Sequence, residues 1–136
     1  MRAAIRIHSL ADARAAVQAA HERGVRLVLV SAPDAGGYAG AAWFDQVVRQ
    51  AAADHPDVAV TAVLDCGDAP GHVLAALRQG VKAVHFTGAP SLAERLADIA
   101  SAYEATVTTD PIEALDLRGT RDALAACRDW LARHDG

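Results

Sequence analysis

The chain has 136 residues, of which 52% are hydrophobic and 22% charged, and its formal net charge is −4. These totals predict one globular domain, residues 1–136, with a sizeable core. No dense block of lysine and arginine occurs, which argues against nucleic acid and anionic membranes as partners. Two cysteines without metal-motif spacing, no signal-peptide pattern and no apolar run of membrane-spanning length predict a cytoplasmic protein.

The first half of the chain contains three apolar segments that are typical of parallel strands buried on both faces. They are Ala3 to Ile7, Val25 to Val30 and Val58 to Leu64. A helix is predicted between the first two, with Ser9 as its N-cap, Asp12 at the capping-box position and Gly24 at its end.

A loop rich in glycine and proline is predicted between the second strand and the next helix. It runs from Ser31 to Gly40 and is expected to have no regular structure. Such a long loop at the end of a strand is often functional, and a flexible tip is the alternative. The helix that follows runs from Ala41 to Ala53, because the residue before Pro56 avoids the helical region.

The second half continues the alternation of helix and strand. Asp68 is the predicted N-cap of a helix that ends at Gly80, Ser91 caps the next, and Thr120 caps the last. The remaining segments are a strand over Val81 to Phe86, a helix to Ala102, a strand over Ala105 to Thr108, one helical turn within Asp110 to Leu117, and a final helix to His134.

A strand followed by a helix, repeated five times, predicts an α/β fold with a five-stranded parallel sheet and right-handed crossovers. Two architectures fit this order. One is a doubly wound, flavodoxin-like three-layer α/β/α sandwich with strand order 2-1-3-4-5. The other is part of a TIM barrel. The short chain favours the doubly wound form.

Asp65 and Cys66 come directly after the third strand, at the edge where ligands bind in parallel α/β folds. As a site, Asp65 would act as a catalytic acid or base, and Cys66 as a nucleophile or thiolate ligand. Strand order 2-1-3-4-5 would bring His8 and His85 beside Cys66, and this set could bind zinc. The structural alternative is that Asp65 caps a turn, Cys66 is a buried apolar residue and each histidine makes a loop hydrogen bond.

A second candidate site binds a small or phosphorylated ligand. The turn from Thr87 through Gly88 to Ser91 places backbone N–H groups at the start of a helix, where phosphate is favoured. Ser31 adds a polar group at the same edge of the predicted sheet. Simple helix capping is the alternative for this turn.

Four segments together resemble the first part of the class II, metal-dependent fructose- and tagatose-bisphosphate aldolases. They are HSLADARAAVQAAHERGVRLVLVSAP (8–33), DAGGYAG (34–40), VAVTAVLDCGDA (58–69) and VLAALRQGVKAVHFTGAP (73–90). The likeness extends from about Ile5 to Val107. It implies that Asp65 falls on the catalytic carboxylate of that family. Cys66 and Val63 replace two of that family's histidines. The other two metal-binding histidines of the family lie beyond its fifth strand.

The resemblance implies a small aldolase-related protein without aldolase activity that acts as a ligand-binding or subunit-interaction module and forms a homo-oligomer. The alternative is a metal-dependent lyase with Asp65 as acid or base and with Cys66, His85 and His8 as zinc ligands. A receiver-like regulatory module is a third interpretation, although the acidic cluster expected after its first strand is replaced by His8 and Ser9.

Overall fold

Strands and helices alternate along the chain in a computed structural model that describes residues 4–38 and 40–134. The strands are β1 (Ala4–Arg6), β2 (Leu27–Val30), β3 (Val60–Asp65), β4 (Ala83–His85), β5 (Thr106–Thr108) and β6 (Ala114–Asp116). The helices are α1 (Leu10–Arg23), α2 (Ala35–Tyr38), α3 (Gly40–Asp54), α4 (Pro70–Arg78), α5 (Pro90–Ala102) and α6 (Ala123–His134). Among these helices, none is long and apolar enough to cross a membrane.

The strands form a parallel sheet in the order β5-β4-β3-β2-β1-β6. Ile5 of β1 lies opposite Leu29 of β2 on one side and Leu115 of β6 on the other. In the doubly wound order 2-1-3-4-5, the second neighbour of β1 would be β3. That predicted order is therefore wrong, since β6 occupies the position. Pairing between strands that follow one another in sequence is typical of the barrel family of α/β folds.

The sixth strand was not expected from the sequence, and the predicted count of five strands is not confirmed. Within Asp110 to Leu117 the structure has β6 rather than a helical turn. Its hydrogen bonds continue beyond the strand, because the N–H of Leu117 donates to the carbonyl of Arg6 at 3.1 Å. A three-residue strand is too short to show an alternating pattern in the sequence.

The described chain divides into two compact units. Unit 1 lies within residues 4–30, 46–61 and 112–134. In this unit α1 packs against α6 and β2, and its fully buried side chains include Val17, Leu29 and Leu131. Arg128 of α6 makes a two-pronged ion pair with Glu22 of α1, at 2.7 and 2.8 Å. The pair holds the pKa of Glu22 at about 2, chiefly through its hydrogen bond.

Unit 2 lies within residues 31–38, 40–45 and 62–111. Here α4 packs against α5 and α2, and α5 packs against β5. The core contains Leu64, Leu77, Val84 and Phe86, all at most 1% exposed. This unit holds Asp65, Cys66, His85 and the Thr87 turn, and therefore most of the predicted site residues.

The helix that follows β1 begins and ends as the sequence predicts. Ser9 is the N-cap, and its side chain accepts a hydrogen bond from the N–H of Asp12. Asp12 does not form the expected capping box. Its carboxylate accepts a hydrogen bond from the N–H of His8 instead. Gly24 ends the helix with φ +70°, a left-handed conformation that favours glycine.

Three other predicted helix caps are wrong by one or two residues. The N-caps of α4 and α5 are Ala69 and Ala89 instead of Asp68 and Ser91, and neither carries a side-chain cap. For α6, the carboxylate of Asp122 accepts from the N–H of Ala125, so it takes the role expected of Thr120. The loop predicted over Ser31 to Gly40 also contains the short helix α2.

Gly24 and Gly71 allow a matched test of backbone conformation, because an added Cβ would meet no atom within 4 Å at either position. Gly24→Ala should lower the free energy of unfolding by about 1–2 kcal/mol, since a left-handed conformation penalises a side chain. Gly71 lies in α4 without positive φ, so Gly71→Ala should raise that free energy by about 0.5–1 kcal/mol. Urea denaturation measures both changes in the free energy of unfolding. Equal effects of the two substitutions would contradict the left-handed conformation of Gly24.

Candidate functional site

Asp65, the last residue of β3, connects the loop after β2 to the turn after β3. Its Oδ1 accepts hydrogen bonds from the backbone N–H of Asp34 at 3.1 Å and of Gly67 at 2.9 Å. Its own N–H donates to the hydroxyl of Ser31 at 2.8 Å. The residue is only 8% exposed. These contacts match the structural interpretation of Asp65, in which the carboxylate caps a turn.

The loop after β2 packs closely against α4. Asp34 has φ +55°, a left-handed conformation that aspartate tolerates better than most residues. At Gly37 a Cβ would lie 2.7 Å from Cε1 of His72, so only glycine fits there without movement. His72 Nδ1 and Asp34 Oδ1 are 3.4 Å apart, the distance of an ion pair when the imidazole is protonated. His72 was not among the residues predicted from the sequence, although its place in the first turn of α4 was a signal.

Cys66 has the properties of a structural thiol. It is fully buried, and a Cβ at Gly36 would lie 3.4 Å from its Sγ. Burial raises the pKa of the thiol to about 12, and the nearby carboxylates of Asp65 and Asp34 add to this effect. The thiol is therefore protonated at neutral pH, whereas a nucleophile or a metal ligand must be the thiolate.

His85 lies beside Asp65, because the two residues are paired in the register of β3 and β4. Its Nε2–H donates to the carbonyl of Asp110 at 2.9 Å. The other nitrogen, Nδ1, is buried without a hydrogen-bond partner. In the neutral imidazole this nitrogen carries a lone pair, so His85 keeps one acceptor inside the fold.

His8 contacts β6 instead of β3. Its Nε2 lies 2.6 Å from Oδ1 of Asp116, because β1 has β2 and β6 as neighbours. The predicted zinc set was based on His8 standing next to Cys66 and His85 in the sheet, and the strand order removes that basis. Within residues 4–38 and 40–134, one group of at least three potential ligand atoms lies within 4.8 Å of one another, and it belongs to His21, His55 and Asp57.

A cavity of about 570 Å³ lies in unit 2, where β4 and β5 end and α5 begins. This volume is within the range of small-molecule sites. Its lining is mainly apolar and comprises Phe86, Thr87, Gly88, Pro90, Ala93, Glu94, Ala97, Val107 and Thr109. Of the residues predicted to bind a ligand, Thr87 and Gly88 are in this lining, and Ser31 and Ser91 are not.

The start of α5 adds backbone polarity to this cavity. Its N-cap is Ala89, which offers no side-chain hydrogen bond, and Pro90 occupies the first turn. The N–H groups of a first helical turn have no partner inside the helix and favour a negative ligand group. Glu94 contributes the opposite preference, because its carboxylate repels anions and accepts hydrogen bonds from hydroxyl groups. Gly88 packs directly under the ring of Phe86, where a Cβ would overlap ring atoms.

The fold of this chain is similar to that of a solved protein described as an aldolase. The chain matches a proposed fructose-1,6-bisphosphate aldolase from Coccidioides immitis with a TM-score of 0.61 and 18% sequence identity. The match covers 78% of this chain and 45% of that protein, so this chain spans less than half of its length. At this identity the likeness shows the fold alone. No protein-family model matches the chain, and no curated protein matches it either.

Substitution of Asp65 tests its role as the anchor of two loops. Asp65→Ala should lower the free energy of unfolding by about 2–4 kcal/mol, because it leaves two backbone N–H groups without an acceptor. Asp65→Asn keeps an oxygen at this place and should cost less than about 2 kcal/mol. Asp68→Ala is the control, an exposed carboxylate nearby that should change stability by less than about 0.5 kcal/mol. Equal losses for Asp65→Ala and Asp68→Ala in urea denaturation would refute the anchoring role.

Proposed function

We propose that this chain is a small-molecule-binding protein built on an aldolase-like α/β fold, and that it does not cleave aldols. The observation that carries the proposal is the cavity beside Thr87 and Gly88. It lies where strands end and a helix begins, the position of ligand sites in parallel α/β folds. Its ligand is a small hydroxylated compound with an anionic group such as phosphate. The anionic group is directed at the first turn of α5 and a hydroxyl at Glu94.

The contacts of Asp65 and Cys66 support a binding function over aldol chemistry. Asp65 already accepts hydrogen bonds from the N–H groups of two loops. The Cys66 thiol is buried and protonated at neutral pH, since its pKa is raised to about 12. Both side chains are thereby committed to the local structure. The cavity, in contrast, has polar groups at its wall and open volume for a ligand.

A cavity-filling substitution tests ligand binding. Dihydroxyacetone phosphate, added at a hundred times its dissociation constant, should stabilise the protein by about 2.7 kcal/mol and raise its melting temperature accordingly. In Ala97→Phe the new ring occupies the cavity, and affinity measured by calorimetry should fall at least about tenfold, a change of about 1.4 kcal/mol.

Ala102→Phe is the matched control, because Ala102 is an exposed residue of the same helix outside the cavity lining. This variant should bind as the unmodified protein does. Inorganic phosphate and glycerol, tested separately, report the anionic and hydroxyl contributions. No binding of any of these probes, or equal binding by Ala97→Phe and the unmodified protein, would contradict the proposal.

The second candidate function is a metal-dependent lyase, and the structural likeness to a proposed aldolase favours it. In this hypothesis Asp65 is the acid or base that moves the proton. Cys66 and His85 are the zinc ligands, without His8, which contacts Asp116 instead. Thiolate and imidazole are suitable zinc ligands in general. The Cys66 thiol would have to lose its proton on binding the metal.

A turnover assay separates these two functions. The binding protein should not cleave fructose 1,6-bisphosphate, with or without added zinc. The lyase should show zinc-stimulated cleavage that is lost in Asp65→Asn and reduced in Cys66→Ser. Circular dichroism of each variant confirms that it is folded. Zinc-stimulated cleavage that disappears in Asp65→Asn would overturn the binding proposal.

A further inference from the structure

Two histidines and an aspartate form a cluster in unit 1, where α1 and α3 end. His21 is in the last turn of α1, and His55 and Asp57 follow α3. The Nδ1 of His21 lies 2.8 Å from Oδ2 of Asp57. The two imidazole rings are stacked, with centroids 3.9 Å apart and planes at 15°. One potential ligand atom from each residue lies within 4.8 Å of the other two.

The hydrogen bonds around the cluster determine which nitrogens can bind a metal. The Oε1 of Gln18 can only accept, so the 2.6 Å contact with Nε2 of His55 places the proton on Nε2. In the neutral imidazole this leaves the lone pair on Nδ1 of His55. Gln18 is oriented in turn by Glu22, because its amide donates to that carboxylate at 2.9 Å. Such outer hydrogen bonds typically fix the tautomer of a metal-binding histidine.

We propose that His21, His55 and Asp57 form a binding site for a divalent transition-metal ion, with Zn²⁺ as its physiological occupant. The metal replaces the proton between Nδ1 of His21 and Oδ2 of Asp57, and Nδ1 of His55 is the third ligand. Two imidazoles and a carboxylate are a suitable donor set for zinc, and a water completes a tetrahedron. These ligands come from a helix end and a turn, and no metal motif in the sequence indicates them.

The ligand atoms have to move to reach the spacing of a loaded site, since Nδ1 of His21 and Oδ2 of Asp57 are 2.8 Å apart and one potential ligand atom of each residue lies within 4.8 Å of the other two. With metal–ligand bonds of about 2.0–2.2 Å, the donor atoms of a tetrahedron lie roughly 3.3–3.6 Å apart. A metal binds in the plane of each imidazole, so loading turns the two rings out of their stack. His21 is exposed and His55 is half-buried, so neither residue is part of the buried core.

The site would fasten elements that are distant in sequence. A bound metal ties the end of α1 to the end of α3 and to the turn before β3. Because the ligands are organised in the folded chain, metal binding adds to the stability of the fold. The site is thus a structural or regulatory metal site. It is separate from Cys66 and His85, the zinc ligands of the lyase hypothesis, and does not depend on the proposed ligand cavity.

Calorimetry with Zn²⁺ on the full chain, prepared without a histidine tag, tests the site. We expect one ion per chain and a melting temperature that rises with zinc concentration. His21→Ala, His55→Ala and Asp57→Asn should each weaken zinc binding at least about tenfold. Asp54→Asn is the matched control, a neighbouring carboxylate that pairs with Arg14, and it should bind zinc as the unmodified protein does.

Cobalt substitution distinguishes this site from one at Cys66. Co²⁺ on nitrogen and oxygen ligands shows visible ligand-field bands without a thiolate charge-transfer band. We expect such a spectrum, and we expect Cys66→Ser to leave it unchanged. A thiolate band, zinc binding unaffected by all three ligand substitutions, or no zinc binding by the unmodified chain would each overturn the proposal. Circular dichroism without metal confirms that the variants are folded.

Discussion

One carboxylate oxygen, Oδ1 of Asp65, determines the local structure of the loop edge of unit 2. It accepts hydrogen bonds from the N–H of Asp34 and the N–H of Gly67, both residues with positive φ. These two residues with left-handed backbone conformations are therefore the two whose N–H groups donate to this oxygen. Positive φ in Asp34 costs energy, and a buried acceptor that satisfies two donors offsets it. The packing of α2 against α4 follows from the position of that loop.

Local chemistry in the sequence predicted much of the fold, and pairing between distant strands was the part that it could not determine. Gly24 ends α1 as expected, because a left-handed helix end favours glycine in any context. The position of β6 beside β1 depends on contacts between residues more than 100 positions apart, such as Leu117 with Arg6. Nothing in a three-residue segment such as Ala114–Asp116 encodes its partner. The expected doubly wound order failed for this reason.

The sequence predicted where Asp65, Thr87 and Gly88 lie in the fold, and it did not predict the contacts that they make. All three do lie at strand ends, since the alternation of strand and helix determines that edge. Whether a carboxylate is a base or an anchor depends on which N–H groups face it. For Asp65 those groups come from a loop 31 residues earlier and a turn two residues later. The free thiol of Cys66 had two interpretations, and complete burial favours the structural one.

The histidines show most clearly why side-chain geometry was needed to choose the candidate metal ligands. From the sequence, His8 and His85 were the candidate metal ligands because they lie at strand ends, although a loop hydrogen bond was the preferred interpretation of each. The sequence indicated His55 only as the residue at which a helix stops before proline. A metal, however, responds to lone pairs and distances, and not to the type of element that supplies the ligand. Gln18 and Asp57 fix the orientations of His55 and His21. The nitrogens that converge therefore belong to residues whose local sequence indicated only the end of a helix and the turn after it.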